Sequence, residues 1–321
     1  MDLKEKKRIG WLEKLRRLPE FNLILILLLF TVVLCIVEPK FISFHNITNL
    51  LRQTSIIGVL AVGMTFVIIS SGIDLSVGAV LAFGGMLVAM LMQAGVPVPL
   101  AILISLLAGT AIGVITGLLV HKGKVPAFIA TLGGMSMVRG IVMLMSNANK
   151  VAVPKPFSDF AVAKILGIPA MVYVWLAIVL LGILISRYTT FGRNIYAIGS
   201  NEEAARLSGI RLGINICGIY AFCAFCASVA GLLMTTRLGS GTPTAGTGME
   251  LDAVAAVVVG GASLSGAVGS VFGTVLGTLI IAMIRNGGQL LGINSFVLDI
   301  SVGALIVIAV LIDKLGKHGK R

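Results

Sequence analysis

Charge is scarce in this chain. Only 12% of its 321 residues are Asp, Glu, Lys or Arg, against roughly 25% in soluble domains, which all but excludes a water-soluble fold. No GxxxxGK[ST] phosphate loop occurs, so nothing in the chain cradles a nucleotide in the usual way. Histidine is limited to His45, His121 and His318, all in flanking loops or the tail, and neither HExxH nor GxSxG is present. An intramembrane enzyme, which needs a nucleophile and base or metal ligands at depth, therefore lacks its parts. Cysteine is limited to Cys35, Cys217, Cys223 and Cys226, all inside apolar runs. The Cys223-x-x-Cys226 spacing has no second pair or histidine nearby and reads as small residues on a helix face. Neither a metal site nor a disulfide is expected.

What the chain does have is apolar length. Hydrophobic residues make up 57% of it, in runs that recur along the whole sequence, and each approaches the ~20 residues that span a bilayer. Glycine is abundant, at 39 residues, which in a membrane favours helices whose backbones approach closely. The expected fold is all-α: a polytopic membrane helix bundle. The first run, residues 21–37, has no small-residue cleavage site after it and reads as a retained span rather than a signal peptide.

The net charge of +12 is concentrated. Seven basic residues precede Pro19, two lie in the HKGK stretch (Lys122, Lys124), four between Arg187 and Arg211, and four after Ile312. The positive-inside rule puts all four groups in the cytoplasm, so this charge implies a membrane topology and no nucleic acid. Ten spans satisfy it, at about 21–37, 54–70, 78–93, 100–120, 125–146, 171–186, 214–234, 250–266, 268–284 and 295–312. The eighth is open to a re-entrant reading. Three regions result: a basic cytoplasmic segment 1–20, a transmembrane domain 21–312 containing a cytoplasmic loop 187–213, and a basic cytoplasmic tail 313–321. Gly109, Gly113 and Gly117 in the fourth span return 160 residues later as Gly269, Gly273 and Gly277 in the ninth. An offset of five spans reverses orientation, so the echo suggests an inverted repeat of two halves, although glycine ladders are also common in membrane helices.

The most polar interior stretch is GRNIYAIGSNEEAARLSGI, residues 192–210. Asn201 suits an N-cap, Glu202 and Glu203 favour the first turn, Glu202 can pair with Arg206, and Gly209 suits the position after the last turn. A helix of about two turns is marginal alone, so it should pack on its own bundle or on a partner. Asp74 is placed to cap the third span, and Thr247 with Glu250 matches a capping box before the eighth. Path lining is the rival role for Asp74, Glu250 and Asp252. Arg139 can snorkel to the interface, and Asp299 can pair with it or with Arg285. The run GSGTPTAGTG, residues 239–248, reads either as an outer loop or as a passage. A neutral polyhydroxylated solute needs hydroxyl partners, which Ser240, Thr242, Thr244 and Thr247 would supply.

The 192–210 stretch resembles the cytoplasmic coupling loop of permease subunits of ATP-binding cassette importers, whose Glu-Ala-Ala pattern is met by Glu203-Ala204-Ala205 with its glycine at Gly209. Residues 41–78, 124–140 and 241–266 resemble the ribose-type monosaccharide permeases, and the likeness runs from about Phe41 to Ile312. The resemblance implies a fold like that of the vitamin B12 importer class and a homodimeric pore in a bacterial inner membrane, with both termini cytoplasmic. It implies that an ATP-binding cassette subunit, using ATP and magnesium, docks on Gly192, Asn201, Glu202, Glu203, Ala204, Arg206 and Gly209. It also implies that a soluble or lipid-anchored binding protein delivers a monosaccharide, ribose first among candidates. The chain itself would be no enzyme and hold no cofactor. The alternative, an ion-coupled secondary transporter of small polar solutes, would use intramembrane carboxylates as a relay. Here the candidate carboxylates cluster at helix starts.

Overall fold

The computed structural model describes residues 20–318, and its helices follow the apolar runs. They are α1 (Phe21–Val37), α2 (Phe44–Ile69), α3 (Val77–Gln93), α4 (Val98–His121), α5 (Ala127–Ser146), the short α6 (Lys155–Ser158), α7 (Ala170–Tyr188), α8 (Thr190–Ser200), α9 (Glu202–Leu207), α10 (Leu212–Leu238), α11 (Met249–Val259), α12 (Val271–Leu290) and α13 (Ser295–His318). The first nineteen residues and the last three, which carry much of the expected cytoplasmic charge, lie outside the described part. Six helices, α2, α4, α5, α7, α10 and α12, are long and apolar enough to cross a membrane, and α1, α3 and α13 are shorter apolar helices. Large side chains on α1, α4 and α5, such as Leu28, Leu107 and Leu144, are more than half exposed. That is the arrangement for hydrocarbon rather than water, because a helix satisfies its own backbone.

Two of the expected spans differ. The second starts ten residues earlier than its apolar run, because Ser43 accepts a hydrogen bond from Asn46 N and caps α2 at Phe44. The eighth is not a full helix. α11 has 11 residues, or ~16 Å, about half of a bilayer core. Its other half is the unwound segment 239–248, which descends beside α3. A side chain at Gly241 would sit 2.9 Å from Ala89 Cβ, and one at Gly246 would sit 2.7 Å from Gly78 O. Residues 241–246 thus run beside the stretch of α3 from Gly78 to Ala89.

α2 and α10 form the central pair. Gly63 lets them meet: a side chain there would lie 2.9 Å from Cys226 Cβ and 3.0 Å from Cys223 Cα, so the two buried thiols are packing residues of this contact. Around the pair the packing repeats. α10 lies on α3 and α4 as α2 lies on α11 and α12, and α3 touches α4 and α5 as α11 touches α12 and α13. The two glycine ladders occupy corresponding places. Gly113 of α4 leaves room only for the Tyr220 carbonyl of α10, and Gly277 of α12 only for the Ala256 carbonyl of α11. α4 runs toward the end of the bundle that carries α9, the near end, and α12 runs away from it, so the two halves are inverted.

At the opposite, far end, residues 147–169 form a small cover. β1 (Val151–Ala152) pairs antiparallel with β4 (Ser240–Gly241), tying the cover to the unwound segment, and β2 (Lys164–Ile165) pairs with β3 (Ile168–Pro169).

Candidate functional site

At the near end, α8 and α9 form a bent rod whose ends are chemically specified. Thr189 Oγ1 accepts from Gly192 N at 3.0 Å and starts α8. Asn201 ends α8 and starts α9, with its Oδ1 accepting from Ala204 N at 2.9 Å. Gly209, at φ +84°, closes α9: its N–H donates to Arg206 O while Ile210 N donates to Ala205 O, the paired bonds of a Schellman end. The expected Glu202–Arg206 pair is not formed. Arg206 instead grips Glu203 with two hydrogen bonds, at 2.5 and 2.9 Å, because in so short a helix the residue three positions back faces it directly. This holds the Glu203 carboxyl below its usual range and Arg206 above its own.

The rod is less one-sided than the sequence suggests. Only Ala205 is buried, whereas Glu202, Glu203, Ala204, Arg206 and Leu207 are exposed, Leu207 by 75%. Gly192 lies away from this face, packed on the carbonyls of Ile185 and Ser186 at the end of α7. There it is a close-contact residue of the bend.

Four hydrogen bonds that the sequence did not signal tie the rod and its surroundings together. Ser71, at φ +66° in the α2–α3 turn, places its hydroxyl 3.0 Å from Gly199 O and 3.0 Å from Ser265 O. Tyr196 donates to Gly269 O at 2.9 Å, and Ala267 N donates to Ile69 O at 2.8 Å. Gly199 is pressed against the Ile69 carbonyl so closely that no side chain fits. The end of α8, the α2–α3 turn and the α11–α12 link are therefore one knot. Beside it a cleft of about 490 Å³ is lined by Ser70, Lys124, Asn201, Glu202, Tyr220 and their neighbours.

Toward the far end the polar segment 239–248 is a two-residue strand followed by turns, packed along α3 with Gly241, Pro243 and Gly246 buried and Thr244 and Thr247 exposed. Ser240 and Thr242 share a hydrogen bond at 3.3 Å, and Thr247 donates to Thr244 O at 2.9 Å. Arg139 does not snorkel. Its guanidinium donates to Pro243 O at 2.7 Å and Ala245 O at 2.9 Å, replacing partners that an unwound backbone lacks. The capping box is also absent. α11 begins at Gly248, φ +83°, whose N–H donates to Glu250 Oε1 at 3.2 Å, while Thr247 is spent on its own turn. Asp74 is buried and accepts from Ser76 N at 2.9 Å and Ser76 Oγ at 2.6 Å. It shapes the turn ahead of α3, whose N-cap position belongs to Ser76.

Between α2, α10, α11, α12 and α13 lies a second cleft of about 500 Å³. Of the candidate path residues, Thr247 and Asp252 line it, while Asp74, Ser240, Thr242, Thr244 and Glu250 do not. Asp252 takes a hydrogen bond from Arg285 at 2.5 Å, and Arg285 also donates to Asp299 at 3.0 Å. The triad joins α11, α12 and α13. Gln53, Arg237 and Gln289 complete the polar wall, and sequence reading missed all three because they lie on separate helices.

Residues 46–312 match the family described as the permease component of the branched-chain amino acid transport system. The chain belongs to this permease family. It is 41% identical over 301 residues to a ribose import permease protein of Escherichia coli K12, covering 92% of this chain and 94% of that one. It is 43% identical over 314 residues to a ribose import permease protein of Bacillus subtilis 168, covering 97% and 96%. A xylose transport system permease protein of Haemophilus influenzae is 37% identical, covering 87% of this chain and 92% of its own. No solved structure matches. This permease is a multi-pass membrane protein, and its family match takes in both inverted halves, the rod and the far-end cleft.

Proposed function

We propose that this permease is the membrane subunit of an ATP-driven importer for a monosaccharide, with ribose the first candidate because two of the relatives above are named for ribose import. The observation that carries the reading is the braced rod. α9 exposes Glu202, Glu203, Arg206 and Leu207 in a mixed polar and apolar face, and the helix before it is knotted to both helical breaks through Gly199 and Ser71. A partner that hydrolyses ATP docks on that face in the cytoplasm. When it closes, the rod moves as a unit, because its ends are capped and its base is bonded. The displacement passes to the α2–α3 turn and the α11–α12 link together.

The chain has no phosphate loop of its own, so hydrolysis, with its ATP and magnesium, belongs to the partner. A soluble or lipid-anchored binding protein supplies the sugar at the far end, and a second copy of the permease completes the pore. The test is co-expression with a cognate ATPase subunit and a binding protein. Reversing both acids, Glu202→Lys with Glu203→Arg, should cut co-purification of the ATPase and sugar uptake about tenfold or more. Uptake unchanged by the reversal would reject the rod as the drive. Competition between ribose, xylose and allose for uptake identifies the sugar. A cysteine at Ala204 labelled by an impermeant reagent on intact cells would put the rod on the wrong side of the membrane.

A further inference from the structure

The far-end cleft carries more than a route. Its lining presents polar groups with no protein partner among the described residues: the side-chain amides of Gln53 and Gln289 and the guanidinium of Arg237. Arg285 spends Nη1 and Nη2 on Asp299 and Asp252, and its Nε is buried without a partner. Buried donors are nearly always satisfied, and among the described residues Arg285 Nε is the one lining group that is buried and unspent. Gln53 is half-buried, and Gln289 and Arg237 are exposed, so their polar ends are free for an occupant of the cleft. The charges that line the cleft balance, Arg237 and Arg285 against Asp252 and Asp299. A net-neutral wall with both fixed donors and fixed acceptors discriminates against ions of either sign.

The volume of about 500 Å³ falls within the ~300–1,000 Å³ of small-molecule sites. No aromatic ring lines it. Its grip therefore combines hydrogen bonds with aliphatic contacts and no stacking ring, which suits a site that must release its occupant.

We infer that this cleft is a transit subsite for a neutral polyhydroxylated solute, held through Gln53, Gln289 and the Asp252–Arg285–Asp299 triad. Each carboxylate is bound to Arg285 through one oxygen and has its other oxygen left to accept a hydroxyl hydrogen, while the amides and Arg237 donate to hydroxyl oxygens. Arg285 fixes both carboxylates so that neighbouring hydroxyls meet a preset spacing. The inference rests on the importer reading and adds to it a place and a charge rule.

The test uses the full chain with its ATPase in lipid nanodiscs. A Gln289→Cys variant is labelled with a maleimide, the wild type serving as blank for the four native cysteines. Ribose at about 10 mM should slow labelling fivefold or more, and ribose 5-phosphate at the same concentration should not. In cells, Gln53→Ala and Gln289→Ala should each lower maximal ribose uptake at least threefold while the ATPase still co-purifies. Import by the wild type with no protection of the thiol introduced at position 289 overturns the subsite and leaves the importer reading intact. Equal protection by ribose 5-phosphate overturns the charge rule. Failure of the wild type to import any monosaccharide overturns the reading on which the inference rests.

Discussion

The two inverted halves of this permease share a packing scheme and differ in what they do with their breaks. In the first half the break is short, residues 70–76, and lies at the near end. It spends its polar groups on itself and on the rod, Asp74 on Ser76 and Ser71 on Gly199 and Ser265. In the second half the break is longer, residues 239–248, and lies toward the far end, where α5 reaches in through Arg139 to hold it. The helix that follows carries Asp252 into the cleft. On the proposed reading, one repeat supplies two functions: one copy of the break would receive force from the rod, and the other would shape a passage.

The strongest way to break this contrast is at Gly199. A Gly199→Leu side chain would collide with the Ile69 backbone carbonyl, which cannot yield without moving α2. Sugar uptake should fall below about 5% of wild type while the protein still reaches the membrane, measured by uptake and immunoblot. Wild-type uptake would dismiss the knot as incidental. Next in size is the triad. Removing one partner of a buried ion pair costs about 3–5 kcal/mol, and because Arg285 is one-fifth exposed and keeps Asp299, Asp252→Ala should cost nearer ~2 kcal/mol. Thermal unfolding in detergent checks it, and a loss under half that would show the triad to be solvated.

Arg139→Ala leaves two interior carbonyls without partners and should destabilise by ~1–3 kcal/mol. It should also raise the susceptibility of the 239–248 segment to proteolysis or hydrogen exchange, sharpening the claim that this break is held from outside its own half. The smallest structural effect is expected at the rod's surface. Glu203→Ala breaks a fully exposed pair with Arg206, and such pairs contribute little. The melting temperature should not change, whereas ATPase co-purification should drop several-fold.

Much of this was legible in local sequence. Apolar length gave the spans, and the caps at Asn201 and Gly209 gave α9, because both signals act within a few residues. The ladder at Gly109, Gly113 and Gly117 and its return at Gly273 and Gly277 pointed to the repeat, since only close backbone contact needs such spacing. What stayed hidden depends on distant partners. Ser71 meets Gly199 128 residues away and Ser265 194 away, and Asp252 meets Arg285 33 away. Local propensity also misled at the eighth span, where an apolar run long enough to cross forms a helix of half the length. The residues before it, rich in glycine and threonine, continue its path beside α3, held by the pairing with β1 and by hydrogen bonds from Arg139 that no hydropathy pattern records.

That half-helix also constrains how the protein is made. A segment of 11 helical residues preceded by ten without regular helix cannot be handed to lipid by itself, since its bare peptide groups would face hydrocarbon. Residues 239–248 therefore need neighbours before they meet lipid, and α3 and α5 are the helices that supply them. A single arginine on an earlier helix thus stands ready for carbonyls that are synthesised more than a hundred residues after it.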